Sequence, residues 1–439
     1  MENKDKDVVH KIYKTKEGMK LILVNNPHSN IFMCKMHIKI GSFDENNEEL
    51  GVAHFLEHLM FKGSNKYKGN EITTKLDEIG AIYNASTSFD YTDYYIYGQN
   101  KDKDIMLDIL IDMFFNPLIP EDSIETERKI IIEEYNMRFD SAQFIQLLNI
   151  IDILTEYKNK LTRRPVIGTI DTINSLDYNK IINFRKKYND LNKVSLTIVS
   201  KINFEEMLDN VSKMCKMEFK EYEYESKQIV TSKEELIYKV PTNFCFFRTN
   251  SSQINIFLCF PSYKMYDERR YSLSIISDIL TNGTSGRITD RLRERNGLSY
   301  SQHSGLIDYG EISLFYIDVG VSICKAVKAI KLICKEINKL KRLGVLEGEF
   351  NKSKNKKMLK LLINNQNQLS YLEEYSDSVI NNSKIKMTDD IIEIYKKLSI
   401  KDLMNVIEEI FDFKKMYASL YGPNRMTENQ YNEIIKKYI

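Results

Sequence analysis

The sequence contains few of the residues that interrupt regular structure, with only seven prolines and 17 glycines among 439 residues. No long stretch of proline, glycine and serine separates one part of the chain from another. No apolar run approaches the ~20 residues that a membrane-spanning helix needs. The polar, acidic beginning has neither the apolar core of a secretion signal nor the arginine-rich character of an organelle presequence. These absences argue against a membrane span and predict a soluble, intracellular, cytoplasmic protein.

Net charge is also nearly absent, because 63 lysines and arginines are balanced by 62 aspartates and glutamates. No block of like charge supplies the attraction on which binding to nucleic acid or to an anionic membrane depends. We therefore expect no nucleic-acid partner. The six cysteines are scattered, without a close pair at metal-ligand spacing. Buried free thiols in a reducing compartment are the expectation.

The two halves of the sequence resemble each other. The segments that can be matched, in pairs, are 33–40 with 253–260, 71–76 with 287–292, and 80–83 with 297–300. In both halves a strand-like stretch, a long amphipathic helix and a late apolar strand follow in the same order. Duplication explains this ordered series better than a chance similarity does. Each copy has about 200 residues, a size that one hydrophobic core can serve.

We therefore predict an α+β protein of two structurally related domains, each a mainly antiparallel mixed sheet with helices packed on one face. The length of 439 residues exceeds what one hydrophobic core normally organises. A polar stretch at 220–235 lies near the midpoint and indicates the boundary. The predicted domains are residues 1–222 and 237–439, joined by a linker at 223–236.

Residues 51–61 carry the most concentrated chemical signal in the sequence. Their apolar pattern is helical, and His54 and His58 stand four positions apart, so both imidazoles project from one face. Two imidazoles at this spacing can bind one zinc ion at its usual ~2.0–2.1 Å bond length. Glu57 stands next to His58 and can act as a base towards a water molecule. The pattern His-x-x-Glu-His is typical of one group of zinc peptidases. The alternative is two structural histidines beside a helical carboxylate.

A catalytic zinc ion needs a third protein ligand. The other four histidines are scattered, so we look for this ligand among the carboxylates. Residues 123–134 have the pattern of one helix, in which Glu127 and Glu134 are two turns apart and share a face. Glu133 points about 100° away from Glu134. We interpret Glu133 as a solvated carboxylate, and it stays the alternative ligand.

Residues 51–63, Gly-x-Ala-His-Phe-Leu-Glu-His-Leu-x-Phe-Lys-Gly, resemble the signature helix of the M16 peptidases, the family of pitrilysin and the mitochondrial processing peptidase. The resemblance covers essentially the whole chain and includes residues 164–168. It implies domains of the LuxS/MPP-like fold and one zinc ion (Zn²⁺) per chain, held by the two histidines and Glu134. It also implies that Glu57 is the catalytic base and that Glu127, which precedes Glu134 by two helical turns, is a supporting catalytic residue.

Other segments resemble the substrate-binding parts of the family. Residues 84–88 are similar to the strand that pairs with the substrate backbone, so Asn84 and Ala85 are the expected substrate-binding residues. In the second half, Arg293 and Tyr300 fall on the Arg and Tyr of the family's substrate clamp. Without the resemblance they would be interpreted as a helix-surface Arg and a packed Tyr. The second half has no His-x-x-Glu-His and is expected to be a non-catalytic copy.

The resemblance implies a zinc metalloendopeptidase that cleaves extended peptides or processes precursor polypeptides inside a closed chamber. A chain of this length is expected to close on a second M16-like chain, as a homodimer or a heterodimer, around a peptide or unfolded-protein substrate. The alternatives are a catalytically inactive scaffold subunit of a larger complex and a peptide-binding module without turnover. A scaffold subunit would be expected to have lost a ligand or the base, and all four residues are present.

Overall fold

The computed structural model describes residues 7–155, 165–226, 243–309, 312–365, 368–423 and 426–439. The chain forms two compact units. Unit 1 contains residues 1–136, 164–229 and 363–390, and unit 2 contains residues 137–163, 230–362 and 391–439. Most of the predicted linker at 223–236 lies outside the described residues, so that boundary stays a prediction.

Unit 1 is built on a seven-stranded sheet. Its strands are β1 (Val9–Lys14), β2 (Lys20–Asn25), β3 (Ile31–Ile38), β4 (Ile82–Thr87), β5 (Thr92–Gln99), β6 (Val194–Ser200) and β7 (Lys220–Glu221). They lie in the order β4-β5-β3-β6-β2-β1-β7. Strands β2 and β6 are parallel, and the other neighbours are antiparallel. Every residue of β6 is buried, because both faces of the sheet are covered.

Unit 2 contains a five-stranded sheet made of β8 (Phe244–Arg248), β9 (Gln253–Pro261), β10 (Gln302–Tyr309), β11 (Ile312–Ser322) and β12 (Tyr417–Gly422). The order β10-β11-β9-β12-β8 repeats the order β4-β5-β3-β6-β2 of the first sheet. The single parallel pair, β12 with β8, also stands where β6 pairs with β2. The predicted α+β fold and its duplication are confirmed.

Helices connect and cover these strands. Those of the first half are α1 (Val52–Met60), α2 (Glu71–Glu78), α3 (Lys103–Phe115), α4 (Ile124–Phe139), α5 (Ala142–Thr155), α6 (Ile170–Ser175), α7 (Tyr178–Arg185) and α8 (Phe204–Cys215). Those of the second half are α9 (Arg269–Thr281), α10 (Arg287–Thr289), α11 (Ala326–Leu343), α12 (Glu347–Asn365), α13 (Leu369–Ile380), α14 (Thr388–Lys397), α15 (Ile400–Ile410) and α16 (Glu428–Ile435). Among these described helices, none has both the length and the apolar character to cross a bilayer.

One face of each sheet carries the main core. In unit 1, Phe55, Leu56 and Leu59 of α1 are fully buried in the cluster that also contains Met36 and Ile38 of β3. Burying one such side chain contributes roughly 1.5–3 kcal/mol. The apolar stripe of α1 therefore fixes the helix on the sheet, with His54 and His58 held at its border.

The opposite face of each sheet is covered by a helix from the other half of the sequence. In unit 1, the apolar side chains of α13 pack on the far side of β2, β3 and β6. In unit 2, α5 packs on β9 and β12, where the Gln146 side-chain amide donates to the carbonyl oxygens of Asn255 and Ser419 at 2.8 and 2.7 Å. The sequence predicted helices on one face of each sheet only. Because each unit also contains a helix from the other half of the sequence, the second face of its sheet is covered as well.

All six cysteines are free. Four are buried, as predicted, and Cys245 is partly buried. Cys324 is exposed, so the expectation of a buried thiol is wrong there. It lies in a 3₁₀ turn just before α11, where the chain leaves the sheet and no longer alternates between a buried and an exposed face.

Candidate metal centre

Local contacts fix the start of α1. Gly51 has φ +90°, a left-handed conformation that a residue with a side chain rarely adopts. The Glu45 carboxylate accepts hydrogen bonds from the backbone N–H groups of Gly51 and Ala53, both at 2.9 Å. The positive end of the helix dipole also stabilises a negative charge at this position. A Cβ on Gly168 would lie 2.3 Å from the Leu50 oxygen, so the 165–168 loop packs closely against the start of α1. Arg164, which precedes this loop, is outside the described residues.

Three predicted ligands come together between α1 and α4. The Nε2 atoms of His54 and His58 lie 3.5 and 3.6 Å from Oε2 of Glu134. Candidate ligand atoms of these three residues all lie within 4.8 Å of one another. Ligand atoms of a tetrahedral zinc site with bonds of ~2.0–2.1 Å stand roughly 3.3–3.4 Å apart. Two imidazoles and one carboxylate at this spacing therefore fit a zinc ion with one position left for water or substrate.

Glu127 contacts the His58 ring nitrogen that does not face Glu134. Its Oε2 lies 3.1 Å from His58 Nδ1, and its Oε1 lies 2.5 Å from the Lys62 ammonium. The Glu127 side chain is only 4% exposed, so both contacts are shielded from water. A ring N–H that donates to a carboxylate leaves the other ring nitrogen as the ligand and fixes the ring orientation. The neighbouring Glu133 is exposed, as its predicted direction required.

The electrostatic environment of His58 favours a positive charge. Burial alone would lower the pKa of His58, but its hydrogen bonds with Glu134 and Glu127 and the charge of Glu57 outweigh burial and raise it. A metal ion brings positive charge to the same set of acceptors. The raised pKa of His58 and the spacing of the candidate ligand atoms therefore both favour a cation site.

Glu57 is partly buried and makes a contact outside α1. The Thr87 hydroxyl, at the end of β4, donates to Glu57 Oε2 at 2.5 Å. Strand β4 is an edge strand of its sheet, so along one side it pairs with no other strand of the described chain. On this strand Asn84 is exposed and Ala85 is partly buried, and the Ala85 N–H donates to Asn84 Oδ1 at 2.9 Å.

The predicted clamp residues are neighbours in unit 2. The Arg293 guanidinium carbon lies 5.2 Å from the centre of the Tyr300 ring, within the range of a cation–π contact. Arg293 also lies 3.5 Å from a Glu294 carboxylate oxygen. Tyr300 is 83% exposed, so its interpretation as a packed tyrosine does not hold.

Three supporting residues were not identified in the sequence as parts of the site. Glu45 and Lys62 act through contacts at either end of α1, and a lone charged residue in a loop carries no periodic signal. Thr87 was assigned only to the substrate-binding strand. Alternation along β4 could have indicated its direction, because Thr87 shares a face with Ala85 and not with Asn84.

Known protein families match most of this sequence. The family model described as Insulinase (Peptidase family M16) matches residues 20–163, and the model described as Peptidase M16 inactive domain matches residues 175–357. An uncharacterized zinc protease of Bacillus subtilis (strain 168), YmxG, is 26% identical over 403 residues, which cover 91% of this chain and 95% of that protein.

Solved structures share the fold. A protease from Helicobacter pylori matches with a TM-score of 0.81 at 21% identity, covering 94% of this chain and 100% of that chain. The periplasmic protease PqqL from Escherichia coli matches with a TM-score of 0.75 at 17% identity, covering 99% of this chain and 50% of that chain. Taken with the two family models, which together match most of the sequence, these similarities show that the chain belongs to peptidase family M16.

Proposed function

We propose that this chain is a zinc-dependent endopeptidase with one zinc ion bound by His54, His58 and Glu134. The observation that carries the proposal is the convergence of two imidazoles and one carboxylate at zinc-ligand spacing, with a buried glutamate behind one ring. The name zinc protease of the bacterial relative agrees with it. A scaffold that had lost catalysis would have no need of this complete set together with Glu57.

The reaction proposed is hydrolysis of a peptide bond. A bound zinc ion would polarise the scissile carbonyl and lower the pKa of a water molecule. Glu57 would accept a proton from the attacking water and then pass it to the leaving amine. Glu127 would keep the His58 ring in the tautomer that presents Nε2.

Extended peptides are the proposed substrates. The open side of β4 can accept a peptide as an additional strand, with backbone hydrogen bonds providing affinity near Asn84 and Ala85. Arg293 and Tyr300 would donate hydrogen bonds to substrate carbonyls or to the oxyanion that forms during attack. The exposure of the Tyr300 ring leaves its hydroxyl available for such a role.

A second M16-like chain is the proposed partner, identical or related. This chain spans half the length of the Escherichia coli protease, which is consistent with a larger protein being replaced by two shorter chains. Closure of two chains around the peptide would form the chamber predicted from the family resemblance. Sedimentation of the purified chain, alone and with substrate, measures its assembly state.

The experiment combines zinc content with digestion of an unbiased peptide library on one purified sample. The wild-type chain is expected to contain one zinc ion and to cleave peptides internally. The Glu57→Gln variant is expected to keep its zinc and lose most turnover, because an amide cannot accept the proton. Stoichiometric zinc without cleavage by the wild type would favour the scaffold or the peptide-binding module instead.

A further inference from the structure

We propose that Thr87 is a positioning residue that sets the orientation of the Glu57 carboxylate and links it to the edge strand β4. This inference rests on the proposed peptidase function and adds a specific role to a residue of the strand. Thr87 and Glu57 are 30 positions apart in the sequence, and their contact joins a sheet edge to the histidine-bearing helix.

The direction of Thr87 follows from strand alternation. Along β4 the exposed residues are Ile82, Asn84 and Ser86, whereas Tyr83, Ala85 and Thr87 are partly buried. Tyr83 and Ala85 pack against the main core of unit 1, which includes α1. Thr87 therefore faces the same side as the core and brings its hydroxyl to within 2.5 Å of Glu57 Oε2. The substrate would approach the strand along its open edge.

A segment at 41–45 fixes both partners of this contact. The backbone N–H groups of Ser42 and Phe43 donate to the carbonyl oxygens of Ser88 and Phe89 at 3.1 and 2.8 Å, directly after Thr87. The Phe43 and Phe89 rings also stack, with centroids 5.3 Å apart. Two residues later the Glu45 carboxylate caps α1. One short segment thus connects the end of β4 to the start of the helix that carries Glu57.

The Thr87 hydroxyl acts on the last torsion of the Glu57 side chain, because it donates to one of the two carboxylate oxygens. A glutamate has a broad, nearly two-fold preference about its last torsion, so the loss of one hydrogen bond can change the orientation of the carboxylate towards the reacting water. A short hydrogen bond to a charged acceptor is stronger than one between neutral groups and selects one orientation. Because Thr87 belongs to the proposed substrate strand, the orientation of the base is tied to the position of that strand.

Replacement of Thr87 by Val tests the role, since Val keeps the branched shape and removes the hydroxyl. We expect kcat to fall about 10–100-fold, in line with the effect of a misplacement of about 1 Å on a reacting group. KM is expected to change by less than about threefold, and zinc content should stay at one per chain. Thr87→Ser keeps the donor and should retain most of kcat.

Thr92→Val provides the matched control. Thr92 stands opposite Thr87 on β5, is fully buried, and donates its hydroxyl to the Ile40 carbonyl oxygen at 2.9 Å. Its loss should lower the melting temperature at least as much as the Thr87 change does, with kcat within about twofold of wild type. Equal losses of kcat in Thr92→Val and Thr87→Val would mean general structural damage and would overturn the positioning role.

Crystal structures give a readout that does not depend on activity. The Glu57 carboxylate should occupy one orientation in the wild type and in Thr87→Ser, and more than one in Thr87→Val. A single wild-type orientation in Thr87→Val, or full kcat in that variant beside an active wild type, would overturn this inference while leaving the peptidase function intact. A wild type that binds zinc and cleaves nothing would overturn the peptidase function, and the role of Thr87 with it.

Discussion

Replacing Asp318 with Asn is expected to stabilise the protein at neutral pH. Asp318 lies on β11 of unit 2, between β10 and β9, and no residue of the described chain donates a hydrogen bond to its Oδ1. Burial raises the pKa of this carboxyl to about 6, although the charge of His303 on the next strand and the Val319 backbone N–H act in the opposite direction. The ionised form is therefore poorly accommodated in the folded state.

The size of the effect follows from the pKa. One pKa unit corresponds to about 1.4 kcal/mol, so a rise from 3.8 to about 6 costs the ionised form ~3 kcal/mol. The folded state binds this proton more tightly than the unfolded state does. The resulting contribution to stability is complete below pH 3.8 and is lost as the pH rises through 6. The neutral amide of Asn has a similar shape and does not titrate, so the variant avoids the loss.

Urea unfolding of both proteins between pH 4 and pH 8 measures this difference. We expect the free energy of unfolding of Asp318→Asn, relative to wild type, to rise by up to ~3 kcal/mol between pH 4 and pH 7. A relative stability that does not change with pH would refute the reasoning, because it would mean that the carboxyl titrates alike in both states.

Asp93 provides the control. It lies on β5 of unit 1 at the position equivalent to that of Asp318 on β11 of unit 2. Its cross-strand neighbour on β3 is His37, whereas that of Asp318 on β9 is Phe257. Asp93 lies 2.9 Å from the buried Lys35 ammonium and 2.5 Å from His37 Nδ1. Asp93→Asn should therefore destabilise the protein at pH 7, by ~3 kcal/mol, because it leaves a buried ammonium with fewer partners.

Three further outcomes concern the metal site and the clamp. Glu127→Gln should lower zinc affinity ~10–100-fold in competition with a chromogenic chelator, whereas Glu133→Gln should leave it within about twofold; equal affinities would remove Glu127 from its supporting role. Lys62→Met, which leaves the buried Glu127 carboxylate without its cation, should cost ~1–3 kcal/mol in urea unfolding and weaken zinc binding in the same assay; unchanged values would make the ion pair incidental. Tyr300→Phe and Arg293→Ala should each lower kcat ~10²–10³-fold at constant zinc content, and full activity of both would return them to surface residues.

The regular elements and the two histidines could be predicted because they follow local periodicity. The helix expected at 51–61 is Val52–Met60, and the helix expected at 123–134 begins at Ile124 and continues to Phe139. The spacing of His54 and His58 needs only the geometry of one helix. Glu134 needed the family resemblance as well, because periodicity placed it on a face with Glu127 but gave no distance to α1.

The exchange of α5 and α13 could not be predicted in this way. An apolar helix face specifies that the helix is covered, and it does not specify which sheet covers it. The supporting contacts of Glu45, Lys62 and Thr87 are likewise made by single polar residues whose partners are brought close by the fold. Their sequence positions carry no period that would indicate the partner.

The most direct test of the account is a zinc titration of the metal-free chain, with peptide cleavage followed at each step. We predict that cleavage rises in proportion to added zinc, reaches a plateau at one zinc ion per chain, and is lost together with tight zinc binding in Glu134→Ala. Cleavage by the metal-free chain, or a Glu134→Ala variant that binds zinc and cleaves as the wild type does, would contradict the assignment of His54, His58 and Glu134 as the catalytic metal site.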